Sequence, residues 1–315
     1  MPDARSADFQ SAVSPISIGR LSPSPSPLGF FQRPQVENLR YSRLQIRATG
    51  PAASLTGVYP VDPLLLPLLM TRILFITGTD TGVGKTVLTA LLARSLRARG
   101  LPVAALKPIS SGSRSDARAL HRALDEELTL DEINPWHFRA ALAPLLSARR
   151  ERRVVRKAQV VAHIRRVATR FAVVLVEGVG GLLSPLGEKF DSRDLIAALR
   201  ADPLVVAPNR LGAVNQVRLV LAALPAAAAR RAQVILVNPR HPDPASPGNA
   251  ALLAEFVEPA RIHVFPWLRP EALDGSRPLL AAARRVLERI TARRSRNQCG
   301  ARLCEPQLCP ESKNR

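Results

Sequence analysis

The chain has 315 residues, of which 46% are hydrophobic, so it can bury the core of one large domain or two small ones. No run of uncharged apolar residues reaches the roughly 18 that a membrane-spanning helix needs, which argues against a helical membrane protein. The net charge of +20 would suit nucleic acid, but 4% aromatic residues give base stacking little support, so neither nucleic acid nor membrane is expected as a partner.

The first segment, residues 1–69, contains ten of the 28 prolines and shows no sustained hydrophobic period. Such a composition cannot bury enough apolar surface to offset the entropy of ordering, so we predict a disordered Pro/Ser-rich extension. Met70 directly precedes the first apolar run and is an alternative start of translation. A transit peptide is another interpretation, which the acids Asp3, Asp8 and Glu37 weaken.

A glycine-rich turn joins a strand-like run to a helical one in the sequence ILFITGTDTGVGKTV, at Ile73–Val87. From Gly78 the turn reads G-x-x-x-x-x-G-K-T, one residue longer between its outer glycines than the usual phosphate-binding loop. The main-chain N–H groups of such a loop and the following helix N-terminus surround phosphate oxygens. Lys85 can reach the β- and γ-phosphates and the Thr86 hydroxyl can bind Mg²⁺, which predicts a nucleoside triphosphate site.

Polar residues follow the second apolar run, where Lys107 ends a strand-like segment and Ser111 and Asp116 come shortly after it. In an α/β sheet, ligands bind beyond the carboxyl ends of the strands, so Lys107 should lie at the same edge as the phosphate loop. A lysine at the end of a strand is as often only a surface charge. The neighbouring serine and aspartate favour a functional role.

A second acid ends the next predicted strand, which reads VVLVE and finishes at Glu177. Apolar residues followed by a carboxylate at the sheet edge match the arrangement in which a strand-end acid binds Mg²⁺. Such an acid alone would more often cap a helix or pair with a cation. Downstream of a phosphate loop, metal binding is the better interpretation, and the glycines at Gly178 and Gly180 would let backbone approach a ligand.

The alternation of strand-like and helical runs predicts an α/β fold: one P-loop NTPase-like domain at 70–292, with a mostly parallel sheet and helices on both faces. The tail at 293–315 is predicted to be disordered; its three cysteines, Cys299, Cys304 and Cys309, have no recognised metal spacing and fit a reducing, cytoplasmic compartment. The predicted strands are Ile73–Thr77, Val103–Lys107, Ala172–Glu177, Leu204–Ala207, Val234–Val237 and Ile262–Phe265. The predicted helices are Thr86–Arg99, Asp116–Leu124, Arg156–Arg170, Ser192–Leu199, Ala213–Leu224, Gly248–Phe256 and Leu279–Ala292.

Six motifs occur in an order and spacing that resemble one family: GTDTGVGKT, LKPISSG with a following SD, VEGVGGLL, RLGAVNQ, VN and FPWL. The chain is similar to the dethiobiotin synthetases over roughly residues 70–268. The resemblance implies an ATP- and Mg²⁺-dependent reaction of 7,8-diaminononanoate with CO₂ in biotin biosynthesis. A carbamate would attack the γ-phosphate, and the mixed anhydride would close into the ureido ring of dethiobiotin.

The resemblance also implies the residues of the site and a cytoplasmic homodimer. The catalytic residue would be Lys107, the substrate would contact Ser111, Gly212, Ala213 and Asn215, and Mg²⁺ would be held by Thr86, Asp116 and Glu177. ATP would contact Gly82, Val83, Gly84, Lys85, Thr86, Val87, Asp116, Glu177, Gly178, Val179, Gly180, Asn238, Pro239, Pro266, Trp267 and Leu268. Leu145 and Gln216 stand where the family often has histidine, and Pro239 where it usually has an acid, which leaves nucleotide preference and substrate fit open.

Besides a regulatory nucleotide-binding module, which would leave Lys107 and Ser111 without a role, two rival functions remain at this point. An ATP-dependent amide-forming enzyme of the same superfamily would need a glutaminase cysteine, and no cysteine precedes Cys299. A nucleotide switch of the partition or septum-site type carries an additional lysine early in its phosphate loop, where this chain has Thr79, Asp80 and Thr81. Both rival functions are therefore less favoured than the ATP-dependent formation of dethiobiotin.

Overall fold

The computed structural model of the chain describes residues 71–268 and 281–292. Its strands are β1 (Arg72–Gly78), β2 (Val103–Leu106), β3 (Ile109–Ser111), β4 (Trp136–Phe138), β5 (Val173–Glu177), β6 (Asp202–Pro208), β7 (Gln233–Val237) and β8 (Ile262–Phe265). Its longer helices are α1 (Lys85–Arg97), α2 (Ser115–Ala123), α5 (Lys157–Ala168), α6 (Ser192–Leu199), α7 (Ala213–Ala223) and α10 (Ala281–Thr291). The shorter helices are α3 (Leu130–Ile133), α4 (Pro144–Arg150), α8 (Ala226–Arg231) and α9 (Asn249–Ala254).

A parallel sheet with the strand order β2-β5-β1-β6-β7-β8 organises the described residues. Strand β1 lies between β5 and β6, with Ile76 paired to Glu177 on one side and to Leu204 on the other. Because all these strands run in one direction, their carboxyl ends lie at one edge of the sheet. The loops that follow β1, β2, β5, β6 and β7 therefore gather there, as ligand-binding loops do in open α/β sheets.

Apolar side chains cover both faces of the sheet. On β7, Ile235 packs into the larger core, whereas its neighbours Val234 and Leu236 pack into a second core with Val217 of α7 and Leu253 of α9. Successive side chains of a strand point to opposite faces, so both faces of this strand are covered. Burial on both sides explains why the strands are continuous apolar runs rather than alternating ones.

The predicted fold class is confirmed, and every predicted strand and helix is present; within the described residues the predicted ends differ by at most two residues, while the predicted start of the last helix at Leu279 lies outside them. The second sheet, in which β3 pairs with β4 in parallel, was not predicted. Three-residue strands are too short to show a hydrophobic period, and their pairing depends on a distant segment of chain. The short helices α3, α4 and α8 were missed for the same reason of length.

The predictions for residues 1–69 and 293–315, including the three cysteines, fall outside the described residues. Among the described residues, no helix combines the length and apolar character needed to cross a bilayer.

Candidate functional site

The loop between β1 and α1 has the geometry of an anion-binding turn. Gly84 precedes α1 with a φ of 95°, in the left-handed region that favours glycine, and it offers no side chain to cap the helix. A Cβ on Gly78 would lie 2.8 Å from Val83 Cγ2, so the loop closes tightly only because this position is glycine. The first turn of α1 holds no acid, so its N–H groups and its dipole can act on an anion.

Lys85 lies inside this loop, where it is 5% exposed and donates from Nζ to the main-chain oxygen of Asp80 at 2.6 Å. Burial, with a smaller contribution from Lys107, lowers the pKa of Lys85 to about 8, against the opposing effects of Glu177 and Asp116. In the free protein this ammonium is therefore poorly stabilised. A phosphate group placed in the loop would supply the counter-charge.

Two polar groups donate hydrogen bonds to Glu177, which ends β5 and is 2% exposed. Thr86 donates from Oγ1 to Glu177 Oε1 at 2.7 Å, and Lys107 donates from Nζ to the same oxygen at 2.6 Å. Lys107 also donates to Asp116 Oδ2 at 2.9 Å. The lysine predicted as catalytic and the three predicted metal ligands thus lie together, although they come from distant parts of the sequence.

The charges of this cluster decide how Lys107 can act. Burial by itself would lower the pKa of Lys107, but Glu177 and then Asp116 more than offset it and raise the pKa above its ordinary value. Lys107 therefore remains a cation throughout the neutral range. It can stabilise negative charge on a reacting group, but it cannot serve as a base there.

Glu177 Oε2 is buried and has no hydrogen-bond partner among the described residues. A buried carboxylate oxygen without a partner is costly, which makes this atom a candidate cation ligand. The described residues contain no group of three or more His, Cys, Asp and Glu side chains that could hold a metal. The donors present, a hydroxyl and two carboxylates, fit Mg²⁺, because this ion binds through few protein oxygens and takes the rest from phosphate and water.

The segment that carries Lys107 is held by Asn134, a residue that the sequence did not single out. Asn134 is 1% exposed, and its Nδ2 donates to the Lys107 main-chain oxygen at 2.7 Å. Its Oδ1 accepts from Ser110 Oγ at 3.0 Å, and the Lys107 N–H donates to Ile133 O at 3.0 Å. Both main-chain groups of Lys107 are therefore fixed by the turn that ends α3.

Ser111, predicted to contact substrate, is the last residue of β3, which begins two residues after Lys107. Its hydroxyl donates to the main-chain oxygen of Leu142 at 2.6 Å. A substrate group would have to compete with that bond or donate a hydrogen bond to a free lone pair of the Ser111 oxygen. The one proton of the Ser111 hydroxyl is therefore already in use.

The glycines after Glu177 bring backbone against the phosphate loop. A Cβ on Gly181 would lie 3.3 Å from the Thr79 main-chain oxygen, and one on Gly180, whose φ is 63°, would lie 2.4 Å from Ser184 Oγ. A Cβ on Gly178 would lie 3.0 Å from Ser192 Oγ. Positions 180 and 181 thus lie close to Thr81 and Thr79 of the loop that follows β1. The predicted residues Gly178, Val179 and Gly180 therefore border the site.

The predicted base-binding residues lie past the ends of β7 and β8. Val237 Cγ1 would be 3.8 Å from a Cβ on Gly84, and the next residue, Asn238, donates its N–H to Phe265 O at 2.9 Å. Trp267 is 38% exposed and faces the guanidinium of Arg240 at 5.8 Å from the ring centre. Pro239 directly follows Asn238, and Pro266, Trp267 and Leu268 directly follow β8, the strand that pairs with β7.

The predicted carboxylate-binding residues lie at the start of α7. Gly212 has a φ of 86° and precedes the helix, Ala213 is buried, and Asn215 is exposed. Asp243 fixes this turn by accepting from the Leu211 N–H at 2.6 Å, and that hydrogen bond is the main reason that the pKa of Asp243 is lowered. Leu211 itself is 80% exposed, so this end of α7 presents an apolar side chain and an amide to the outside of the described chain.

Comparisons with known proteins agree with the motifs. The AAA domain family matches residues 72–271. The ATP-dependent dethiobiotin synthetase BioD of Anaeromyxobacter dehalogenans (strain 2CP-1) is 44% identical over 214 residues, which are 66% of this chain and 95% of that protein. The protein of the same name from Akkermansia muciniphila is 39% identical over 153 residues, 49% of this chain and 72% of that protein.

Among solved structures, the MinD cell division protein of Aquifex aeolicus is similar in fold over 70% of this chain and 95% of the MinD chain, with 16% sequence identity and a TM-score of 0.44. A likeness at that level carries no argument about function. The match to the Anaeromyxobacter relative spans nearly that whole protein at an identity well above 30%. This chain belongs to the family of ATP-dependent dethiobiotin synthetases.

Proposed function

We propose that this protein catalyses the ATP-dependent closure of 7,8-diaminononanoate and CO₂ into dethiobiotin, with release of ADP and phosphate. The observation that carries the proposal is the position of Lys107 Nζ, held between Asp116 and Glu177 and next to the phosphate loop. This arrangement occurs in a chain of the dethiobiotin synthetase family, and a fixed cation beside a phosphate site suits phosphoryl transfer.

In this proposal the loop from Gly82 to Val87 binds the phosphates of ATP. The left-handed glycines Gly82 and Gly84 open the main chain toward the ligand, and Lys85 pairs with the terminal phosphates. The base lies between Asn238, Pro239 and the segment Pro266–Leu268. The proximity of Val237 to Gly84 supports this placement, because it sets the end of β7 beside the loop.

Thr86, Asp116 and Glu177 would hold Mg²⁺ together with phosphate oxygens. When bound there, the ion would neutralise charge on the phosphates and hold them in a reactive orientation. The unpartnered Glu177 Oε2 supports this assignment, because it is the buried oxygen that needs a positive partner.

The chemistry requires three bond changes. One substrate amine adds to the carbon of CO₂ and loses a proton, which gives a carbamate anion. A carbamate oxygen attacks the γ-phosphorus as the bond to the β-phosphate oxygen breaks and ADP leaves. The second amine then attacks the carbamoyl carbon, the carbon–oxygen bond to phosphate breaks, and phosphate and a proton are released.

Lys107 would stabilise negative charge in the first two of these steps. Its pKa is raised, so it brings a full positive charge to the carbamate oxygens and to the transferring phosphoryl group. Its two carboxylate partners and Asn134 hold it in place before substrate arrives, so little reorganisation is needed during the reaction. Ser111 would contact the diamine.

We further propose a cytoplasmic homodimer, in which Gly212, Ala213 and Asn215 of one subunit bind the substrate carboxylate at the site of the other. An exposed amide at a helix N-terminus suits a carboxylate, and the exposed side chains of Leu211 and Leu219 suit a subunit contact. The proposed function is tested by incubating purified protein with diaminononanoate, bicarbonate and MgATP. Dethiobiotin should form in amounts equal to the ADP released, and ATP consumption without dethiobiotin would refute the proposal.

A further inference from the structure

A buried network of polar residues lies beside the proposed base-binding residue Asn238. Asn209, Ser246 and Asn249 are each at most 6% exposed, and they follow or lie near the carboxyl ends of β6 and β7. Asn209 donates from Nδ2 to Asn238 Oδ1 at 2.8 Å. The resemblance to the family singled out none of the three buried residues.

Main-chain carbonyls fix the direction of every bond in this network. Asn249 Nδ2 donates to Arg210 O at 3.0 Å and to Asn209 Oδ1 at 2.9 Å, so its two protons are used. Asn209 Nδ2 in turn donates to Ser246 O at 3.0 Å and to Asn238 Oδ1. A carbonyl can only accept, so neither buried amide can turn over without losing a bond.

These fixed hydrogen-bond directions hold the Asn238 side chain in one orientation. Its Oδ1 has one lone pair occupied by Asn209, and within the described part of the chain nothing accepts from its Nδ2. The amide therefore presents one acceptor and one donor edge in fixed positions. An amide in that state matches the amino group and ring nitrogen of adenine, which are a donor and an acceptor side by side.

We propose that Asn209 is a positioning residue that locks the Asn238 amide and so makes the site prefer adenine to purines with a carbonyl at position 6. This inference rests on the proposed function only in placing the base at Asn238. Guanine and hypoxanthine set an oxygen where adenine has its amino group, so it faces Asn238 Oδ1 and no hydrogen bond forms. An unrestrained amide could turn over and donate to that oxygen, which would weaken the preference for adenine.

The test compares ATP with ITP, in which a carbonyl replaces the 6-amino group and N1 carries a proton. The ratio of kcat/KM for ATP to that for ITP is measured together with the ratio of ADP to IDP affinity by calorimetry. In Asn209→Ala we expect both ratios to fall about tenfold while kcat with ATP changes little, since a paired base contact contributes on the order of a tenfold discrimination.

Gln233→Ala is the matched control. Gln233 is another buried amide, 6% exposed, on the same strand that leads to Asn238 but at its opposite end, where it donates to Ile290 O at 3.1 Å. It should lose stability and keep the wild-type ratios. Asn209→Asp keeps the size of the side chain but cannot donate to Asn238, so it should lower the ratios even if the alanine variant does not fold.

Unchanged ratios in a folded Asn209 variant would overturn the inference. An equal fall in Gln233→Ala, or a wild-type protein that does not distinguish ADP from IDP, would overturn it too. The calorimetric ratio does not depend on ring closure. If the protein bound ADP selectively and the Asn209 variants lost that selectivity, but no dethiobiotin formed, the proposed function would fail and the inference would stand.

Discussion

Lys107 Nζ lies 2.6 Å from Glu177 Oε1; Lys107 directly follows β2, and Glu177 ends the adjacent parallel strand β5. Both side chains are almost wholly buried. A buried pair of this kind is costly to break, because removing one partner leaves the other charge without compensation. The pair therefore ties the proposed catalytic cation to the strand that carries the proposed metal ligand.

Lys107→Ala should reduce kcat for dethiobiotin formation by about 10²- to 10³-fold, the effect expected on losing a fixed electrostatic group in a reaction of this kind. Binding of ADP, measured by calorimetry, should change only a few-fold, because Lys85 and the loop N–H groups remain. Lys157→Ala, at an exposed lysine that starts α5, is the control and should keep full activity. Near-normal turnover in Lys107→Ala would contradict the proposed role.

Nucleotide binding should weaken as the pH rises above 8. The pKa of Lys85 is about 8 in the free protein, and bound phosphate should raise it, so binding is accompanied by proton uptake once free Lys85 begins to lose its proton. The ADP dissociation constant should therefore increase between about pH 8 and pH 10, and the calorimetric heat should depend on the buffer. In Lys85→Arg, whose side chain stays charged, the ADP dissociation constant should no longer increase with pH. An unchanged increase in this variant would show that a group other than Lys85 causes the pH dependence.

Thr86→Val should raise the Mg²⁺ concentration required for half-maximal activity by about tenfold, because a hydroxyl ligand is replaced by a methyl group. Thr86→Ser should behave like the wild type. Thr89→Val is a matched control, since Thr89 lies one turn further along α1 and donates to Lys85 O at 2.8 Å. A similar Mg²⁺ requirement in Thr86→Val and Thr89→Val would argue against Thr86 as a ligand.

Asn134→Ala should lower kcat by about tenfold and leave the KM for ATP unchanged, because it frees the main chain of Lys107 without touching the phosphate loop. It should also cost about 1–3 kcal/mol of stability, the usual cost of an unsatisfied buried carbonyl. Gln233→Ala should show a comparable loss of stability with normal kcat. If Asn134→Ala and Gln233→Ala lost kcat in the same proportion to their loss of stability, Asn134 would have only a structural role.

Mixing two inactive variants should restore activity if each site is built from two subunits. Lys107→Ala removes the cation and Asn215→Ala removes the carboxylate contact, so a mixed dimer has one site with both defects and one with neither. Random reassortment would return roughly a quarter of wild-type activity. If the mixture showed only the mean of the two variants, both residues would act within the same subunit.

The sequence was sufficient for the parts of the site that follow long apolar strands. The phosphate loop, Lys107 and Glu177 each come directly after or at the end of such a run, and parallel strands place their carboxyl ends together. Asn134 and Asn209 could not be found in that way. Each acts through hydrogen bonds to residues 27 to 40 positions away in the chain, and a single buried asparagine leaves no periodic pattern.

The most direct test of carbamate formation and phosphorylation uses ¹³C-bicarbonate with purified protein, diaminononanoate and MgATP, and follows the label by mass spectrometry. We expect one labelled carbon to enter dethiobiotin for each ADP and phosphate released, and Lys107→Ala to form almost no labelled product. Release of phosphate without label in the product would contradict the central claim that a carbamate, held by Lys107, receives the phosphoryl group.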